Sequence, residues 1–303
     1  MDPLDGAGIA PDAEALIRLR HVVRNIPERR LAPTGTPGGF VSPRRGRGVE
    51  AVDIRVYAEG DDIRHIDRNV TARTGITHVR TFHDERERAA TLVGDFRPSM
   101  LWGTRRAFRS VAAAEALAIV GWRVVEAGGR VGLVAFSVGQ PTLVPARPRA
   151  GGMAAVIGGV VSAHRSALES ASVDRADATP IEDAVELARR VTPTGGSVFL
   201  ATGLDDAGSD FDLIVTALRR RCYLTVLLVV DAFEHDPRPG NYPFVARSGR
   251  IARANLDRIQ LGRVPDERRA RLEKLGVPFV VIETDLGPEG MAEKLEISDG
   301  RLR

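Results

Sequence analysis

Hydrophobic positions recur along this chain first with a helical period and then in short unbroken runs. Between residues 12 and 26, Ala13, Ala15, Leu16, Ile17, Leu19, Val22 and Val23 follow the spacing of an amphipathic helix, which Pro27 ends. The stretch APTGTPGGFVSPRRGRG from Ala32 is dense in Gly, Pro and Ser and reads as a linking loop. Residues 49–58 and 75–82 predict two short strands around a polar middle. From Thr91 the pattern changes. TLVGD is a buried strand that ends in a carboxylate, and RVGLVAF, SVFLAT, CYLTVLLVVD and GVPFVVIET are further apolar strands. QPTLVP, residues 140–145, reads as a short partner of RVGLVAF. Residues 104–127 are apolar on nearly every side and predict a helix enclosed by protein. Further helices are predicted at 150–163, 180–191, 211–221 and 265–275, the second entered through Thr179-Pro180. Ser248-Gly249 marks the turn of a hairpin over 244–254.

Apolar strands that alternate with helices predict an α/β fold, a doubly wound, mostly parallel sheet covered on both faces. It carries a small N-terminal helix and a β appendage. The chain accordingly divides into a helix and linker over 1–45, a small β region over 46–88, and the main domain over 89–303. In such sheets ligands bind beyond the carboxyl ends of the strands. Three polar loops lie there: DFRPSM after the first strand, the loop entering Thr179, and TGLDD after SVFLAT.

Composition narrows the function classes. With 43% hydrophobic and 27% charged residues, the 303-residue chain is globular, and no apolar run is long enough for a membrane span. The N-terminus has neither the basic start nor the apolar stretch of a secretory leader, and Cys222 is the single cysteine, so a cytoplasmic setting is expected. The net charge is only +3, and acidic and basic residues alternate, as in DDIRHIDR. That pattern favours internal pairing over a nucleic-acid stripe; the exception is Arg44, Arg45 and Arg47 in a loop. No two of the six histidines are three or four residues apart, which argues against zinc. A phosphate-binding Gly-Lys-Ser/Thr loop and a Gly-x-Ser-x-Gly elbow are both missing from the sequence. Cys222, opening a buried strand, reads as a core thiol.

The run from Asp53, DIRVYAEGDDIRHIDRNVTARTGITHVRTFHDERE, resembles the signature of domain-of-unknown-function family 58. The matching positions are Arg55, Tyr57, Gly60, Asp61, Asp62, Arg64, Ile66, Asp67, Ala72, Arg73, Arg80 and Glu85; Arg68 stands where the family usually has tryptophan. LVGDFRPSM, VGLVAF, VVDAFEHDPRPG and GVPFVVIETDL are similar to its later strands, which include Asp231, Glu234, Thr284 and Asp285. The resemblance covers roughly residues 46–294. It implies a von Willebrand factor A-like domain. Charges at the density of the first segment, interspersed with Ile54, Val56, Ile63, Ile66 and Val70, suggest a partly buried ion-pair network, because buried charges must be paired. Asp61, Asp62, Asp67, Arg64 and Arg73 would then clamp the β region to the main domain; a recognition surface and a catalytic carboxylate pair are the other readings.

An intact A-domain site holds Mg²⁺ through two serines, a threonine and aspartates that act mostly through water. Matched residue by residue, Asp95 and Ser99 fit the first loop and Thr179 the threonine. The middle serine is Arg97, however, and the later aspartate is Gly203, with Asp205 and Asp206 nearby. An arginine 4 Å from Mg²⁺ is repelled by about 8 kcal/mol at an effective dielectric of 20, and a guanidinium cannot act as a ligand. Pointing inward, Arg97 replaces the cation and pairs with Asp95. Pointing outward, it leaves room for weak Mg²⁺ on Asp95, Ser99, Thr179 and Asp205. The expectation is no functional metal and no cofactor.

The family's association with MoxR-type AAA+ ATPases implies a non-enzymatic adaptor, working with such an ATPase and a client protein through the degenerate crevice of Asp95, Arg97, Ser99, Thr179, Gly203 and Asp205. Two alternatives stay open. One is an anion or nucleic-acid binder using Arg44, Arg45, Arg47 and Arg97. The other is a hydrolase using Asp61, Asp62 and Asp67.

Overall fold

A computed structural model describes residues 8–25, 51–58, 63–82, 89–171, 178–235, 240–245, 251–256 and 266–297. The chain forms two compact units, one of residues 1–33 and 88–303, the other of residues 34–87.

The larger unit is built on a six-stranded sheet. In chain order its strands are β3 (Ala89–Asp95), β4 (Arg130–Phe136), β5 (Thr142–Pro148), β6 (Ser197–Thr202), β7 (Tyr223–Val230) and β10 (Phe279–Glu283). Across the sheet they run β10-β7-β6-β3-β4-β5. Every pairing is parallel except β4 with β5, which are antiparallel. The predicted doubly wound, mostly parallel sheet is what forms. Winding proceeds from β3 outward to β4 and β5, then returns to start again at β6 on the other side of β3. The topological switch point therefore lies between β3 and β6.

Side chains alternate across each strand, so one strand feeds two cores. Leu92, Leu133, Leu227 and Val229 face one core; Val93, Val134, Leu228 and Val230 face the other. The first core is covered by α1 (Ala13–Asn25), α3 (Arg109–Glu126), α4 (Arg149–Ala171) and α9 (Pro288–Ile297); the second by α5 (Ile181–Val191), α6 (Phe211–Arg219) and α8 (Glu267–Lys274). Helix α3 is buried along most of its length, as its apolar sequence predicts. Its alanines let it lie close to the sheet, and Gly121 faces Met153 and Leu92, where a Cβ would collide with the sulfur.

The N-terminal helix was expected as a segment separate from the main domain. It is instead part of the first core: Leu16, Leu19 and Val23 are buried there, and the Trp122 indole on α3 donates to the carbonyl of Leu16 at 2.9 Å. Arg20 and Arg24 both pair with Glu126 at 2.7 Å. The physical reason is the apolar face of α1, which covers a side of α3 that the sheet leaves bare. Past the one-turn helix α7 (Ala232–His235), the hairpin read over 244–254 forms as β8 (Gly240–Val245) and β9 (Ile251–Leu256).

In the smaller unit, β1 (Ala51–Val56) pairs antiparallel with β2 (His78–Phe82), as the two short apolar runs predict. The polar middle between them folds as α2 (Arg68–Thr74). Asp67 caps that helix, its carboxylate accepting from the amides of Asn69 at 2.9 Å and Val70 at 3.0 Å. Gly75 closes it at φ 70°, a left-handed conformation that glycine adopts without penalty.

Candidate functional site

Thr202 ends β6 beside Asp95, the last residue of β3, so the switch point brings a hydroxyl to a carboxylate. Asp95 is completely buried. Its carboxylate accepts from the Thr202 hydroxyl at 2.7 Å, from the Arg97 amide at 3.1 Å, and from the Arg97 guanidinium at 3.0 Å (Nε) and 2.8 Å (Nη2). Arg97 points inward. Its side chain is 6% exposed, it lies over the Phe136 ring, and Nη2 also donates to the carbonyl of Asp205 at 3.0 Å. Burial works against the Arg97 charge, but Asp95, with help from Asp205 and Asp206, outweighs it and holds the guanidinium pKa above its ordinary value.

A second arginine stands behind the first. Arg109, in the first turn of α3, is 2% exposed, with Nε and Nη2 donating to the Val229 carbonyl at 3.3 and 3.1 Å and Nη1 to that of Ser99 at 3.2 Å. These are carbonyls at strand and loop ends, where backbone acceptors lack partners in the sheet. Arg109 Nη1 also lies 3.0 Å from Asp205 Oδ2, and Nε 3.7 Å from Glu234. The Asp205 contact is an ion pair without hydrogen-bond direction, because Oδ2 remains a buried acceptor with no donor among the described residues. Burial raises the Asp205 pKa, and Arg109 and Arg268 only partly oppose it.

Arg268, from the first turn of α8, closes the cluster. It donates to the Gly203 carbonyl at 3.1 Å, pairs with Glu234 at 2.7 Å, and binds Asp266 through two nitrogens at 2.9 and 3.0 Å. Burial opposes its charge too, but these carboxylates raise its pKa well above the ordinary value. Arg269 also pairs with Asp266 at 3.4 Å, so four carboxylates (Asp95, Asp205, Glu234, Asp266) meet four guanidiniums and the charges balance.

Gly203 has a direct explanation. A Cβ at this position would overlap the Arg109 guanidinium and the Asp205 carboxylate. An aspartate there and Arg109 in its present place exclude each other. The next residues bend sharply: Leu204 and Asp206 both have positive φ, 56° and 52°. Such strain in residues other than glycine concentrates at functional sites. Here it turns the Asp205 carbonyl onto Arg97.

The structure brings Asp95, Arg97, Gly203 and Asp205 together, with Ser99 joined through its carbonyl to Arg109 and to the Trp102 indole at 2.8 Å. It does not bring in the Thr179 hydroxyl, which donates to the Gly139 carbonyl at 2.8 Å; the Thr179 amide is tied to the Ser137 carbonyl at 2.7 Å. The residues therefore do not fit a divalent cation: a guanidinium occupies the carboxylate, a second fills the space beside Gly203, and the threonine is turned away. Among the described residues no cluster of three or more metal-ligating side chains is found. Thr202, Arg109, Arg268, Glu234 and Asp266 were not among the expected site residues. A signal for Arg109 was available: a charged residue at the start of a mostly apolar buried helix.

Next to this site, Asp231 follows β7 directly and is fully buried. It accepts from the hydroxyls of Thr104 and Thr284 (2.7 Å for the latter) and from the amides of Thr104 at 3.0 Å and Phe233 at 2.9 Å. These bonds overcome the burial penalty and lower its pKa.

Of the motif residues in the smaller unit, Arg55 and Tyr57 lie on or just after β1, Arg64 is exposed in a single 3₁₀ turn, and Arg73 is exposed in the last turn of α2. Asp67 serves as a helix cap, its carboxylate accepting from the α2 amides. Gly60, Asp61, Asp62 and Glu85 lie outside the described residues, as do Arg44, Arg45 and Arg47.

The family described as "Protein of unknown function DUF58" matches residues 53–258. The chain belongs to that family. Uncharacterized proteins of Mycobacterium bovis and Mycobacterium tuberculosis are 36% identical to it over 102 residues, which is 34% of this chain and 32% of theirs, so the match spans about a third of those relatives. Among solved structures, the SpRpn10 VWA domain aligns with a TM-score of 0.38 at 10% identity, over 71% of this chain and 98% of that one. An uncharacterized membrane spanning protein from Vibrio fischeri aligns at 0.22 and 18%, over 69% and 96%. At those scores the fold of this DUF58 protein rests on its own strand order. No described helix is long and apolar enough to cross a membrane.

Proposed function

We propose that this chain is a non-enzymatic protein-interaction module, an adaptor that docks a partner at the switch-point crevice, where a fixed guanidinium takes the role that a bound cation has in an A-type domain. The observation that carries the reading is the Arg97–Asp95 pair. A buried carboxylate that would otherwise attract Mg²⁺ is neutralised within the chain, by two hydrogen bonds to a group that stays charged at any physiological pH. The crevice is thereby rigid and ready-made, which lowers the ordering cost of binding. At its mouth lies a recess lined by Leu204, Asp206, Ala207, Glu267, Arg268 and Arg271. The partner that the family resemblance suggests is a MoxR-type AAA+ ATPase, with a client protein passed between the two, in a cytoplasmic setting.

The test is co-purification of the full chain with the MoxR-type ATPase of its own genome. Retention of the ATPase by the wild type is expected. Loss is expected with Glu267→Arg and Ala207→Arg, which alter the rim of the recess and leave the buried ion pairs intact. Absence of any retention, or retention that both variants leave unchanged, would contradict the proposal.

A further inference from the structure

Arg97 spends its hydrogen-bonding capacity unevenly. Nε and one hydrogen of Nη2 go to Asp95, and the other hydrogen of Nη2 goes to the Asp205 carbonyl. Nη1 donates to nothing among the described residues. An edge left open on a charged group whose side chain is only 6% exposed is a place for an acceptor. Nη1 is not sealed off either: it is absent from the fully enclosed, unpartnered atoms, which are His164 Nδ1, Asp205 Oδ2 and Arg269 Nε. It is the edge of the guanidinium that a ligand in the crevice can reach.

Two features select the acceptor. The paired edge that carboxylates use for two parallel bonds is taken by Asp95, and the Asp205 carbonyl takes one arm of the other edge, so a second carboxylate cannot form the usual fork. Asp205 and Asp206 also stand close enough to add to the negative field that Asp95 sets up at Arg97. An incoming anion meets that field, whereas a neutral carbonyl oxygen gains a charge-assisted bond without it.

We infer that Arg97 Nη1 is a subsite for a neutral carbonyl oxygen, a backbone carbonyl of an extended peptide or a carboxamide side chain, and that it discriminates against carboxylates. This rests on the reading of the crevice as a docking surface and names what the partner inserts there.

The experiment uses the full chain with ¹⁵N-labelled arginine, following the Arg97 Nε–H resonance during titration with acetamide and, separately, acetate at constant ionic strength. A saturable shift with acetamide and at least about tenfold weaker binding of acetate support the subsite. Equal or tighter binding of acetate overturns it, and so does failure of acetamide to shift the resonance, whatever the ATPase co-purification shows. Conversely, acetamide binding at Arg97 together with ATPase retention that the rim variants do not alter upholds the subsite and removes the docking role.

Discussion

Replacing Arg97 by alanine is expected to destabilise the protein by about 3–5 kcal/mol, the cost of leaving a buried carboxylate without its counter-charge. Asp95 has no exposure, and the Thr202 hydroxyl at 2.7 Å would be its main remaining side-chain donor. Asp95→Ala strands the guanidinium in the same way and is expected to cost a similar amount. The informative variant is the double one. Asp95→Ala combined with Arg97→Met removes both charges and restores apolar volume over Phe136, so its loss should fall well below the sum of the single losses. Equilibrium denaturation in urea measures all three against wild type. Additivity to within about 0.5 kcal/mol would mean that the two side chains do not depend on each other.

The second large effect is a dependence of stability on pH that comes from one histidine. His164 on α4 is completely buried, its Nε2 2.9 Å from the Ser110 hydroxyl and its ring edge-on to Phe96. Nδ1 has no partner among the described residues, and burial pushes the His164 pKa down to about 4. In the unfolded chain the same ring takes up a proton near pH 6.5. The unfolded state therefore binds more protons between these values, and stability falls as pH drops from about 6.5 towards 4. The full loss is about 3 kcal/mol, present in none of its magnitude above pH 7. Denaturation curves across this range for wild type and His164→Leu should diverge in slope, the variant losing that share of the dependence. Parallel curves would mean that the ring is protonated in the folded protein.

Much of the fold was legible because buried strands and helices leave their period in the sequence. The strands TLVGD, RVGLVAF and SVFLAT formed close to their predicted limits, and their carboxyl ends made the crevice. Helix α2 was hidden for a physical reason. Seven residues without an apolar stripe give no periodicity, and only the caps, Asp67 and Gly75, marked it. Helix α9, with Met291, Ala292 and Leu295 buried, was also passed over, its apolar residues being too few for a clear stripe.

The site was legible in part. Asp95 and Arg97 are two residues apart, and their pairing follows from electrostatics that sequence alone can state. Arg109, Arg268 and Asp266 come from other elements, and a side chain that reaches from one helix to the Val229 carbonyl of a distant strand leaves no local pattern. Thr179 was placed by analogy with a motif, whereas its hydroxyl is taken by a carbonyl of the neighbouring loop. Gly203 shows how the two parts meet. The missing aspartate could be read from the sequence, but its cause, a guanidinium filling the space, could be read only in three dimensions.

Whether the guanidinium has displaced a cation altogether is decided most directly by calorimetric titration of the wild-type chain with Mn²⁺. A positive charge fixed on Asp95 repels a divalent ion 4 Å away by about 8 kcal/mol at an effective dielectric of 20, so no saturable heat is predicted. Micromolar binding that Asp95→Ala abolishes would contradict the account.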